Sequence, residues 1–93
     1  MKIKKKVQSK YFSAIADGKK RFEVRLADFK CKPGDILVLE EQKEGENKLT
    51  GRKAECEVLY KLNTKEVEKF YTKKDIEKHG LLVLAIRKKF KFK

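Results

Sequence analysis

Gly18-Lys19-Lys20-Arg21-Phe22-Glu23-Val24-Arg25 is the stretch on which the reading of this chain turns. Upstream of it, Phe12, Ile15 and Ala16 recur at helical spacing, with Tyr11 beside them and Ser9 as the expected N-cap. Gly18 then supplies the left-handed residue that ends such a helix. Downstream, charge alternates with apolar bulk, which is the pattern of a half-buried strand over Arg21–Leu26. Strand parity sets Phe22, Val24 and Leu26 on one face and Arg21, Glu23 and Arg25 on the other. The three charged residues form a plus-minus-plus row with neighbours about 7 Å apart. Lys20 stands at the corner, free of strand parity. Spacing alone favours a solvated strand face held by weak ion pairs over a ligand-binding wall.

The segments around this corner build a small α+β chain that is mainly β. The first seven residues alternate as a strand with Met1, Ile3 and Val7 inward. Pro33-Gly34-Asp35 is a turn signal that launches a buried strand, Ile36-Leu37-Val38-Leu39. Gln42 to Lys48 is polar, with Gly45 and Asn47, and reads as a hairpin loop. A long strand is expected from Leu49 to Lys61, with Ala54, Cys56, Val58 and Tyr60 on one face. Asn63 with Glu66 and Thr72 with Asp75 look like two capping boxes, so two short helices follow, the first with Val67, Phe70 and Tyr71 on its apolar side. His79-Gly80 closes the second, with the histidine meeting the helix dipole. Leu81 to Ile86 reads as a buried central strand. The sum is about five strands and two or three short helices, which suggests a small mixed β-barrel.

Composition bounds the function. Ninety-three residues make one domain, residues 1–93, with a basic tail at 87–93. The longest apolar run is six residues and no leader is evident, so the expected location is the cytoplasm. Of the net charge of +12, nine units fall in the first six and last seven residues. Positive charge gathered at both ends favours a polyanion, most commonly nucleic acid. The tail alternates Lys88, Lys89, Lys91 and Lys93 with Phe90 and Phe92, so it offers phosphate contacts and stacking rings. Abundant Lys and Glu with few Asn, Gln and Cys suits a heat-adapted organism. Cys31, Cys56 and His79 lack the spacing of a zinc site, and no disulfide, metal or cofactor is expected.

Gly18-x-Lys20-x-x-Glu23-x-Arg25 resembles the signature of the ASCH domains, which are β-barrels related to the PUA fold. Lys10-Tyr11-Phe12 with Ala14-Ile15, Gly34-Asp35-Ile36-Leu37, Thr50-Gly51-Arg52 and Gly80–Ile86 are similar to that family's first helix and later strands, in the same order. The resemblance implies a PUA-like barrel in which Lys20, Glu23 and Arg25 line a cleft beside the first helix. It implies RNA, single-stranded or looped, or a nucleoside as the partner of a chain expected to be a monomer. In that reading Arg25 and Arg52 grip phosphate or a base edge, with Lys19, Lys20 and Arg21 as further cations. Glu23 accepts from an exocyclic amine, while Lys88, Lys89 and Phe90 extend the surface. One branch of the family consists of small amidohydrolases acting on an acetylated cytidine, and Lys20 matches that branch's lysine. Its threonine nucleophile falls where this chain has Glu23, which a carboxylate does not replace in acyl transfer. An enzyme built here, acting on a modified nucleoside or on RNA, would use Lys20 and Glu23 as its coupled pair.

Overall fold

The computed structural model describes residues 1–87. The basic tail at 88–93, including Lys88, Lys89 and Phe90, lies outside the described residues. Among the described residues the chain is α+β: an open three-stranded sheet with three short helices. The order along the chain is β1 (Lys2–Gln8), α1 (Ser9–Ala16), β2 (Ile36–Gln42), β3 (Leu49–Glu57), α2 (Thr64–Glu68) and α3 (Lys73–His79).

The sheet runs β1-β2-β3, with β1 parallel to β2 and β2 antiparallel to β3. A parallel pair needs a crossover of a dozen residues or more, and the segment from α1 to the Asp35 turn supplies it. β1 alternates with Ile3, Lys5 and Val7 turned inward, whereas Met1, expected inward, is 74% exposed; Lys5 is admitted because its ammonium sits 3.9 Å from the centre of the Phe29 ring. Val7, Phe12 and Leu39 form the core, with Ile15, Leu37, Ala54 and Cys56 packed against it. Phe12, with Ile15, therefore pins α1 to the sheet, without which a two-turn helix would not persist.

The turns follow local rules. Asp35 is buried, and its carboxylate accepts the Lys32 backbone N–H at 3.0 Å. Its carbonyl accepts from Val58 N–H at 2.8 Å, tying the start of β2 to the end of β3. The hairpin at 43–48 is closed by Lys43 N–H donating to the Lys48 carbonyl at 2.9 Å. Asn63 and Thr72 are the N-caps of α2 and α3, accepting from the N–H groups of Lys65 and Asp75. Ser9 lies one residue inside α1, whose N-cap is Gln8; the Ser9 hydroxyl instead donates to the Gln42 carbonyl at 3.0 Å.

Two expected strands are absent. Arg21–Leu26 carries no ladder, and its apolar side chains face outward, with Val24 61% and Leu26 80% exposed. Leu81–Ile86 also lies outside the sheet and is exposed throughout. β3 stops at Glu57, leaving Tyr60 81% exposed, and Phe70 and Tyr71 project from the end of α2. Alternation and apolar runs report what a strand would bury, but a strand exists only where a neighbour takes its N–H and C=O groups. With three strands the sheet is open, not the five-stranded barrel expected. The radius of gyration, 15.5 Å, accordingly exceeds the about 12 Å of a close-packed chain of this length. No helix among the described residues is long and apolar enough to cross a membrane.

Candidate functional site

The site begins at the end of α1. Gly18 takes φ +74°, and the N–H groups of Gly18, Lys19 and Lys20 fold back onto the carbonyls of Ile15 and Ala14 at 2.9–3.0 Å. This C-terminal cap reverses the chain and lays residues 19–25 beside α1 and the end of β1. Between them lies an open cleft of about 630 Å³, lined by Lys20, Phe22, Glu23, Val24 and Arg25 on one side. Lys6, Val7 and Gln8 of β1, Tyr11 of α1 and Gln42 of β2 form the other.

Lys20, Glu23 and Arg25 make one connected network. Glu23 Oε1 accepts from Lys20 Nζ at 2.9 Å, and its Oε2 accepts from Arg25 Nε at 2.7 Å. Lys20 Nζ also donates to the Phe22 carbonyl at 2.7 Å. Arg25 Nη2 donates to the backbone carbonyl of Lys6, fastening the segment to edge strand β1. The lysine and glutamate side chains are only 16% exposed and the arginine 28%, so the row faces the cleft and not bulk water. The charged face of this segment thus turns inward, while Phe22 and Val24 stand at the cleft's rim, partly exposed. The Lys20 ammonium also lies 4.8 Å from the centre of the Phe22 ring and 5.8 Å from that of Tyr11.

The remaining expected residues divide. Lys19 is exposed beside the cleft, and Arg21 turns back to donate from Nε to the Gly18 carbonyl at 3.0 Å. Neither belongs to the network. Arg52 stands apart from the cleft lining: its guanidinium lies 5.0 Å from the Phe12 ring centre, and Nη1 is 3.7 Å from Glu41 Oε1. Glu41 is buried and accepts from the Thr50 hydroxyl at 2.6 Å. The register of β2 on β3 is irregular between Glu40 and Gln42, which frees Glu41 for this side-chain partner.

Sequence reasoning passed over Lys6, Gln8 and Gln42 as cleft residues, and treated Tyr11 only as a helix flank. The signal for Gln8 was its position where β1 hands over to α1. Gln42 gave none, because its place depends on the parallel pairing of β1 with β2, in which Gln8 and Gln42 are partners.

Cys56, packed under the site, has its thiol pushed up from the ordinary value, chiefly by burial, with the Glu23 carboxylate adding to the rise and Lys20 opposing it. It is a core thiol and not an activated nucleophile.

Comparison with known proteins adds a family and one viral relative. A protein of Escherichia phage P2, described as "Uncharacterized 12.9 kDa protein in GpA 3'region", is 42% identical over 53 residues. That match covers 57% of this chain and 47% of the relative, so the chain spans about half the length of the curated relative it matches. No solved structure matches. The family model described as "Domain of unknown function (DUF3850)" matches residues 3–76, which takes in β1 from Ile3 onward, the whole cleft and the start of α3. The chain belongs to that family.

Proposed function

We propose that this domain binds single-stranded or looped RNA, one nucleotide entering the cleft between α1 and residues 19–25. The observation that carries the reading is the cleft itself, in which Lys20, Glu23 and Arg25 stand beside the half-exposed rings of Tyr11 and Phe22. Rings offer stacking to an unpaired base, and the Lys20 and Arg25 cations offer positive charge to phosphate. The lysines of β1 extend the positive field along the sheet edge. The resemblance of Gly18-x-Lys20-x-x-Glu23-x-Arg25 to the ASCH signature points the same way. Hydrolysis by Lys20 and Glu23 would require one of them to exchange a proton with substrate or water, whereas here each engages the other.

Titration of a short fluorescent single-stranded RNA tests the reading. Affinity is expected to fall steeply with salt, with a log–log slope of about 0.7 for each phosphate contacted. Arg25→Ala is expected to weaken binding about tenfold, as loss of a charge-assisted contact does. An Arg25→Ala protein that folds and binds as tightly as the parent would overturn the assignment.

The finer architecture proposed with this reading is a closed PUA-like barrel, with Arg21–Leu26 and Leu81–Ile86 as its further strands. Leu82 and Ile86 are 83% and 90% exposed in the open arrangement, and burying each would gain about 1.5–3 kcal/mol. Amide exchange is the measurement: slow exchange across Val83–Ala85 supports closure, and exchange at free-peptide rates limits the sheet to three strands.

A further inference from the structure

The arm that follows β3 holds secondary structure but no core. α2 and α3 have five and seven residues and contain no buried side chain, and helices that short do not persist alone in water. The root of the arm is fixed: Val58 N–H donates to the Asp35 carbonyl at 2.8 Å, and Lys61 Nζ to the Cys31 carbonyl at 2.7 Å. Around and beyond that root, Leu59, Tyr60, Phe70, Leu82, Leu84 and Ile86 are each 68–90% exposed. These six side chains alone offer about 700 Å² of apolar surface. Each side of an ordinary stable protein–protein interface contributes about 800 Å² in all. The arm therefore carries enough apolar area to hold two copies of the chain together.

The sheet has one edge open to receive it. At β1 the edge is engaged, because Arg25 donates to the Lys6 carbonyl, and exposed Lys2, Lys4 and Lys6 guard it against a further strand. β3 is the other edge, and among the described residues no strand lies beside it. Resting on the closure reading above, we propose that the strand closing the sheet comes from a second copy, in place of the expected monomer. Leu81–Ile86 of each protomer pairs with β3 of the other, a reciprocal arm exchange about a two-fold axis. The incoming strand takes up the free N–H and C=O groups of β3. Its Leu82, Leu84 and Ile86 fall on one face and cover Ala54 and Cys56, which a single chain leaves partly exposed. Each copy carries a net charge of +12, so the two repel, and added salt strengthens their pairing while it weakens RNA binding.

Sedimentation equilibrium of the full chain across about 1–100 μM, with amide exchange at both ends of that range, is the experiment. Twice the chain mass is expected at the upper end, with slow exchange at Val83–Ala85 that disappears as the dimer dissociates. Raising salt should move more of the chain into the dimer. Leu84→Glu should weaken the dimer at least tenfold and leave the circular dichroism of the single chain unchanged, because Leu84 is 68% exposed there. A single-chain mass at every concentration, with Val83–Ala85 slow to exchange, means that each chain closes on itself; closure then stands and the arm exchange is overturned. A single-chain mass with exchange at free-peptide rates overturns both. A dimer whose Val83–Ala85 amides exchange freely, or one that Leu84→Glu leaves intact, is joined through another surface and overturns the inference. The mass and exchange of the parent decide the matter even where the variant does not fold.

Discussion

Glu23 accepts from two cations through separate oxygens, so its replacement removes the charge that both share and leaves each only a backbone carbonyl. With this network partly buried, Glu23→Gln is expected to destabilise the fold by about 1–2 kcal/mol. Urea midpoints of Glu23→Gln, Lys20→Met and the double variant would show a coupling of about 1 kcal/mol between the two positions. Asp35 sets a different dependence. The Lys32 backbone N–H holds its carboxyl below the ordinary value of 3.8, with the ammonium of Met1 assisting against burial. A carboxylate with a lowered folded pKa stabilises the native state above its unfolded pKa, and that contribution disappears as pH falls through the folded value. Stability followed by circular dichroism should therefore drop below about pH 4, and Asp35→Asn should flatten that part of the curve. Cys56 acts at the other end. Burial raises its pKa above 9.0, so stability declines as pH rises past that value and the unfolded thiol ionises.

Gly18 shows how an element depends on one backbone angle. Its φ is +74° and a Cβ there would meet nothing within 4 Å, so Gly18→Ala costs conformational energy alone, about 1–2 kcal/mol. Binding should weaken with it, because the same turn delivers Lys20 to the cleft. Leu39 is 2% exposed at the centre of β2, and Leu39→Ala is expected to cost about 2–5 kcal/mol in thermal or urea unfolding. Elements governed by nearest neighbours were legible in the chain itself. The Gly18 stop, the Pro33-Gly34-Asp35 turn, the polar hairpin at 43–48 and the caps at Asn63 and Thr72 all depend on contacts within a few residues. The signature residues were legible as a group, because the reversal at Gly18 is also local. What stayed hidden was pairing at a distance. Arg21–Leu26 and Leu81–Ile86 have strand composition, yet composition names no partner. Thr50 meets Glu41, and Gln8 meets Gln42, through registers that no local pattern encodes.

Among the described residues, lysines stand along β1, and exposed apolar side chains gather in the C-terminal part with further lysines between them. Lys2, Lys4 and Lys6 are exposed on β1, whereas Leu59, Tyr60, Leu62, Phe70, Leu82 and Ile86 are exposed along the C-terminal part. The first surface suits a polyanion and the second is the one that barrel closure would cover. The connectivity of the sheet has a temporal corollary. β2 and β3 are joined by a short hairpin, so their pairing closes a small loop and can nucleate early. β1 has to find β2 across the whole crossover, and only then does Gln42 join the cleft. The Gln42 edge of the cleft is thus expected to assemble after the β2–β3 hairpin and to open before it.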